Sequence, residues 1–408
     1  LSGNEKVKKM KLKIIVILLV FSFAQQTHAQ SYQKIHRDAV VVDTHNDILM
    51  KTADQGIVMD RDLTGITRSD LTRWKKGGLD VQIFSVFCEG DAKNPYAYAN
   101  REMDTLDAVA ARNPDKIVKV ANYAQLMKVV KQHKIAAMFG VEGGHMIEDD
   151  LSKLDALYKR GARYLTLTHN VSPSWATSAA DETSSNPTIG HGLNSEGKKG
   201  LTAFGIKVVQ HMNQLGMMID VSHVGDQTFW DVIRISTKPI IASHSSVYSL
   251  VPHRRNLKDE QIKAIAKNGG VIQINFNPGF IDSSFDKKET AFLKEHAVEN
   301  DSLMKAGMMG FYALDYLYQK YAAEANSMRP PLSMVVNHID YVVKLVGVDY
   351  VGLGSDFDGT NLTPQQLDDV TDYPLITKAL VEKGYSEKAI DKILGGNLLR
   401  VLKANENH

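Results

Sequence analysis

Six short apolar runs in this chain each end at, or just before, a side chain suited to metal or proton chemistry. The first leads into Asp43-Thr44-His45-Asn46-Asp47, where alternate positions of an extended chain end point His45 and Asp47 to one side, able to share a cation. Another ends at Glu142 within Gly140-Val141-Glu142-Gly143-Gly144, whose glycines let the backbone turn sharply or approach a ligand closely. His169, His223 and His244 close three more runs, and Asp356 closes the last in Gly354-Ser355-Asp356-Phe357-Asp358-Gly359. Taken singly, each has an ordinary explanation: a hydrogen-bonded structural histidine, a chance His-x-Asp pair, or turn aspartates beside glycine. All of them fall at the same polarity of strand end, and that joint pattern points to a metal site.

Imidazole and carboxylate without thiolate suit Zn²⁺, with Mn²⁺, Fe²⁺ and Co²⁺ as the other choices. Cys88 is the one cysteine, so neither a disulfide within the chain nor a cysteine-rich zinc cluster is available. Five ligands exceed the needs of a single tetrahedral ion and suit two ions that share a carboxylate. The division is then His45, Asp47 and Glu142 on one metal, with Glu142, His223 and His244 on the other. Two ions about 3.5–4 Å apart can hold a bridging water and bring its pKa towards neutrality, which supplies hydroxide without a side-chain nucleophile.

Such residues need a scaffold that brings strand ends together. Strands are expected at 39–44, 81–87, 135–141, 163–168, 217–222, 239–243, 270–276 and 350–355, as continuous apolar runs of the kind a parallel sheet covered on both faces produces. Helical patterns lie between them, among others at 151–160, 201–215, 259–267 and 334–346. Eight strands alternating with helices give the α/β class and a TIM-type (β/α)8 barrel, whose active sites sit at the C-terminal strand ends. Two segments exceed the repeat: a polar stretch at 172–199 after the fourth strand, and 282–331 after the seventh, helical around 311–323 and closing in Pro330-Pro331. Both are candidate lids.

With 48 basic against 47 acidic side chains, the chain is no strongly basic nucleic-acid binder. Lys6, Lys8, Lys9, Lys11 and Lys13 precede the apolar run 14–23, and Thr27-His28-Ala29 follows. That order reads as a signal peptide over 1–29, cleaved near Ala29, with residues before Met10 upstream of the start. Residues 30–408 are then a single metal-dependent hydrolase barrel domain, exported to the periplasm or secreted, with no stable membrane anchor after cleavage.

The motifs together resemble the membrane dipeptidase (renal dipeptidase) family of zinc peptidases, within the wider amidohydrolase-type barrels. The resemblance rests on Val42-Asp43-Thr44-His45-Asn46-Asp47, Gly140-Val141-Glu142-Gly143-Gly144-His145 and Tyr164-Leu165-Thr166-Leu167-Thr168-His169. It continues through Ile219-Asp220-Val221-Ser222-His223, Ser243-His244-Ser245-Ser246, Arg254-Arg255-Asn256-Leu257, the Asp356 motif and Asn397-Leu398-Leu399-Arg400-Val401. It implies two Zn²⁺ per chain bridged by Glu142, with His45 and Asp47 on one and His223 and His244 on the other. It also implies that His169 contacts the scissile carbonyl and steadies the oxyanion, that Arg255 takes the substrate carboxylate with Arg254 as its rival, and that Asp356 relays the proton. His145 is expected beside the metals rather than on them.

The implied activity is hydrolysis of dipeptides, with tolerance of a C-terminal D-residue and, in some members, β-lactam hydrolysis. A homodimer is implied by the family alone. The enzymatic alternative keeps the metals and changes the substrate to a lactone, an N-acyl amino acid or a phosphotriester; a non-catalytic alternative is an exported barrel that binds peptide or metal. The chain departs from the animal members in lacking their disulfide cysteines and lipid-anchor signal, and in its longer segment 282–331.

Overall fold

The computed structural model describes residues 32–184 and 192–407, so the expected signal peptide and the middle of the 172–199 segment lie outside the described residues. One sheet organises the chain: β1 (Val42–Asp43), β2 (Val81–Phe87), β3 (Ile117–Lys119), β4 (Ile135–Glu142), β5 (Ala162–Thr166), β6 (Met218–Asp220), β7 (Ile241–Ala242), β8 (Val271–Ile274) and β9 (Val351–Leu353). Every pairing is parallel, in the order β1-β2-β4-β5-β6-β7-β8-β9. The ring closes just past the ends of β9 and β1, where Asn46 bridges Phe357 and the Asp47 amide donates to the Phe357 carbonyl at 2.9 Å. This is the expected TIM-type barrel. The eight strands of the ring are buried along their full length, as in β4, because side chains fill the inside while helices cover the outside; β3, off the ring, is buried only at Ile117.

β3 was not among the expected strands. β2 takes one whole edge of β4, from Ala136 to Glu142, and the other edge is divided: β3 pairs with 135–137 and β5 with 139–142. A three-residue strand reading Ile-Val-Lys is too short to show a period. β7 is the opposite case, two residues long where five were expected, because the Ser243 amide donates to the Asp220 carboxylate instead of continuing the ladder.

The helices follow their caps. Helix Leu151–Arg160 begins where Asp150 accepts from the Ser152 amide and ends at Gly161, whose φ of 112° suits glycine. Helix Ala203–Leu215 starts two residues later than the apolar pattern suggests, because Thr202 caps it through the Gly205 amide. The 282–331 segment folds into helices Phe285–Glu295, Ala297–Lys305, Gly310–Lys320 and Ala322–Met328 around a small core of its own that includes Phe292, Leu317 and Met328. Its expected helix over 311–323 is broken at Tyr321, whose ring stacks on His296 at 3.7 Å between centroids.

Candidate active site

Strand ends bring the polar side chains together at the C-terminal mouth of the barrel. His45 and Asp47 follow β1, Glu142 ends β4, His223 follows β6 and His244 follows β7. Glu142 points one carboxylate oxygen each way: Oε2 lies 3.3 Å from His45 Nε2, while Oε1 lies 2.9 Å from His223 Nε2 and 3.2 Å from His244 Nε2. Asp47 Oδ2 is 3.5 Å from His45 Nε2, and His223 Nε2 is 2.9 Å from His244 Nε2. Among the described residues, three groups have ligand atoms close enough to hold an ion: His45, Glu142 and His244; Glu142, His169 and His223; and His45, Asp47 and Asp356. His169 and Asp356 thus stand beside the five expected ligands, and His145 stands outside all three groups.

Hydrogen bonds behind the cluster fix which ring nitrogens carry protons. The Tyr164 hydroxyl must give its proton to the Thr44 carbonyl at 3.0 Å, so at 2.8 Å it can only accept from His45 Nδ1. In the neutral ring His45 Nε2 is thereby left with a lone pair facing Glu142 and Asp47. His244 repeats the arrangement. Ser243 Oγ donates to Asp220 Oδ2 at 2.5 Å and lies 2.7 Å from His244 Nδ1, so it accepts there and His244 Nε2 also faces the cluster as a lone pair. Lone pairs and carboxylate oxygens pointed at one another are held together by a positive charge between them, a proton or a metal ion. His45 Nε2 and Asp47 Oδ1 are buried atoms without a hydrogen-bond partner, and this donor set fits a divalent ion.

Titration follows the same logic. Burial first, and then the charge of Arg255 on His223 and of His45 on His244, hold those two rings well below the ordinary imidazole value, in the neutral form that metal binding needs. Burial opposes charge on His45 too, but Tyr164, Asp47 and Glu142 outweigh it and hold that ring well above the usual value, so without a metal ion a proton takes the place between Nε2 and the two carboxylates. Burial pulls His169 down to about 4, and pushes Asp356, with the Asp47 carboxylate beside it, up to about 8. Burial also lowers Arg255 to about 10.

Two backbone features aim these groups. His223 at φ 65° and Asp356 at φ 62° both adopt the left-handed region that side chains other than glycine avoid, so each is held there by its surroundings. The 172–199 segment braces the first: the Ala179 amide donates to the His223 carbonyl at 2.8 Å, the Gly225 amide to the Thr177 carbonyl at 2.9 Å, and Ser178 bridges Val224. Its described residues do not line the catalytic cavity, so for them the expectation of a lid is corrected to a buttress. Asp356 is steadied by Asn275, whose Nδ2 donates to Oδ2 at 2.9 Å. Asp358 turns away into a network with Lys51, the Arg68 amide and Ser69, a structural role.

The cluster floors a cavity of about 780 Å³. His169, Arg254 and Arg255 line it; Arg254 is exposed, whereas Arg255 is buried, at 5% exposure, with Nε unpartnered and Nη2 3.2 Å from the His244 carbonyl. Cys88 is a buried thiol on the wall, pushed up to about 12 by burial, and His145 Nε2 donates to its carbonyl at 3.0 Å. The segment 282–331 contributes Met309, Gly310 and Phe311.

Tyr164, Asp220 and Asp43 stand in the motifs of the sequence reading but had no role assigned there; the structure places all three behind the cluster. Asp220 also accepts from Thr166 Oγ1 and the Ser222 amide, and Asp43 accepts from the Ser355 amide and hydroxyl, which ties the first strand end to the last. A carboxylate inside an apolar strand was the available signal, since burying one without partners is costly.

A model of the membrane dipeptidase family, peptidase family M19, matches residues 29–408. The chain belongs to the membrane dipeptidase family. It is 32% identical to an uncharacterized dipeptidase of Schizosaccharomyces pombe, across 92% of this chain and 83% of that one. The fold is shared with the probable dipeptidase PvdM from Pseudomonas aeruginosa, at TM-score 0.75 and 24% identity over 93% of this chain and 98% of that one. It is shared too with a metallopeptidase from Rhodobacter sphaeroides liganded with a phosphinate mimic of the dipeptide L-Ala-D-Ala, at TM-score 0.71 and 22% identity over 90% and 99%. Membership makes the chain a metallo-dipeptidase, and a metal cofactor follows from it. The buried His, Glu and Asp cluster is where this dipeptidase can hold that metal.

Proposed function

We propose that this membrane dipeptidase family member is a dinuclear zinc dipeptidase that cleaves dipeptides with a free C-terminal carboxylate, D-residues included. The observation that carries this reading is Glu142, with one oxygen towards His45 and the other towards His223 and His244. His45 and Asp47 would complete one zinc site, and His223 and His244 the other. When bound, two such ions supply an activated water and polarise the peptide carbonyl.

The chain's own residues do the rest. Arg255 holds the substrate carboxylate, a charge-assisted contact suited to a guanidinium. His169, neutral near pH 7, donates its N–H to the carbonyl oxygen as charge develops there. Asp356 has Oδ2 engaged by Asn275; with cationic charge at the neighbouring cluster offsetting Asp47 it would be ionised, so that Oδ1 takes the proton from the attacking water and returns it to the leaving amine. Tolerance of a D-residue is supported by the dipeptide mimic bound to the Rhodobacter sphaeroides relative. Export is supported by the lysines, apolar run and Thr27-His28-Ala29 at the start of the sequence. Among the described residues no helix is long and apolar enough to cross a membrane. The homodimer remains a proposal from the family.

Arg255→Ala tests the reading. Losing a hydrogen bond to a charged partner removes about 1.5–3 kcal/mol, so kcat/KM on a dipeptide should fall roughly ten- to a hundredfold. C-terminally amidated dipeptides should already be poor substrates of the unmodified chain. An unchanged KM and rate in the variant, or efficient cleavage of the amides, would move the substrate to another amidohydrolase class.

A further inference from the structure

Part of the apolar cavity wall, Met309 and Phe311, comes from a segment outside the barrel repeat and faces the same space as Met50, Phe87, Ala92 and Phe280. Met309 and Phe311 sit at the start of helix Gly310–Lys320, and both line the catalytic cavity along with Met50 from the helix after β1. Met309 is 48% exposed and Phe311 half-buried, so neither is there merely to fill a core.

This wall is pinned to the catalytic loops at two points. The Phe311 carbonyl accepts from Asn361 Nδ2 at 2.8 Å, a short way beyond Asp356. The next residue, Tyr312, donates its hydroxyl to Asp54 Oδ2 at 3.0 Å, and Asp54 Oδ1 accepts from the Tyr98 hydroxyl at 2.6 Å. One carboxylate therefore clasps the added segment to the helices that follow β1 and β2. Lys51, held by Asp358, lies 5.8 Å above the Phe311 ring.

The position of the clasp in the ring says which part of a substrate the wall meets. Asn361 follows β9, Asp54 follows β1 and Tyr98 follows β2, three neighbouring places in the barrel. Arg255 follows β7, which lies opposite β2 in the strand order. A substrate whose carboxylate is at Arg255 and whose peptide bond is over the ligand cluster extends its N-terminal residue towards the β9–β1–β2 side. We propose that Phe311, with Met309, is the specificity-determining wall for the side chain of the substrate's N-terminal residue, and that the Tyr312–Asp54–Tyr98 clasp is its positioning device. This rests on the dipeptidase reading above. An aromatic ring anchored by its own backbone sets a firm limit on side-chain size, while methionine beside it adapts to shape. The recognised class is then a dipeptide whose N-terminal side chain is apolar and of limited bulk.

The test compares two dipeptide series on the full chain loaded with zinc. One varies the N-terminal residue through Ala, Leu, Phe and Trp over a constant C-terminal Ala; the other varies the C-terminal residue behind a constant N-terminal Ala. Phe311→Ala should shift kcat/KM in favour of the bulky members of the first series by roughly tenfold or more, the scale on which apolar pockets discriminate. The order within the second series should stay as it was. Tyr312→Phe, which loosens the clasp without changing the wall's chemistry, should raise KM across the first series with little change in kcat. Equal factors in both series, or a change confined to the second, would overturn the proposal. Should Phe311→Ala fail to fold, Phe311→Leu and Met309→Ala read the same ranking. If the unmodified chain cleaves no dipeptide in either series, the dipeptidase reading fails first and this inference with it.

Discussion

Replacing Tyr164 by phenylalanine should loosen one metal and leave the other in place. Its hydroxyl lies 2.8 Å from His45 Nδ1 and 3.0 Å from the Thr44 carbonyl, fully buried, and nothing else fixes the His45 tautomer. In Tyr164→Phe the ring can carry its proton on Nε2, where Glu142 Oε2 and Asp47 Oδ2 wait at 3.3 and 3.5 Å. A proton then competes for the place a cation should take. Partners of this kind typically account for 10- to 100-fold in metal affinity, which is about 1.4–2.8 kcal/mol. The buried Thr44 carbonyl left without its donor adds about 1–3 kcal/mol of lost stability. The assay is metal retention against a graded chelator at neutral pH, counting ions per chain. One ion should leave at 10- to 100-fold lower chelator than in the unmodified protein, and the second should leave where it did before. Retention of both ions at the original chelator concentrations would refute the tautomer argument; simultaneous loss of both would refute the division of ligands.

Ser243→Ala should give the mirror image, weakening the ion on the His223 and His244 side, because Ser243 Oγ is what His244 Nδ1 donates to; the same titration reads it. Gly140→Ala should disturb His45 indirectly, since a Cβ there would fall 1.9 Å from Tyr164 Cζ; overpacking of this kind typically costs about 1–3 kcal/mol, measurable by denaturant unfolding. Asp356→Asn should lower kcat by about 10²- to 10⁴-fold on dipeptides with metal content unchanged. The metal-free chain offers a second readout of Asp356. Its carboxyl is raised to about 8 when folded against the ordinary 3.8, so between those values the folded state holds a proton that the unfolded state has released, and stability falls as pH rises. Relative to Asp356→Asn, thermal unfolding of the metal-free protein should therefore show a loss approaching about 1.4 kcal/mol per pH unit within that window, and parallel pH profiles would contradict it.

Much of this site is legible because barrel geometry converts strand ends into neighbours. His45, Glu142, His223 and His244 could be read one by one from apolar runs, and their convergence on a shared carboxylate followed from the fold class. The supports behind them were harder to see. Tyr164 sits in an apolar strand and looks like any core aromatic, while its function depends on a contact with His45 across 119 positions. Asp220 was visible as a carboxylate within an apolar strand, but its partners Thr166 and Ser243 come from different strands. The same distance hid the wall at Phe311, whose clasp joins Tyr312 to Asp54 across 258 positions. Periodicity reports a residue's own face of an element, and it carries no information on what a remote hydroxyl will meet. The 172–199 segment shows the complementary error: polarity and length suggested a cover for the cavity, whereas backbone hydrogen bonds commit its described part to holding the His223 turn.

The most direct test of the central claim is the metal content of the purified chain, measured alongside hydrolysis of an L,L and an L,D dipeptide. The account expects close to two zinc ions per chain and chelator-sensitive release of free amino acids from both substrates. One ion or none in a folded, active enzyme would contradict the bridging role of Glu142, and two ions without dipeptide cleavage would contradict the substrate.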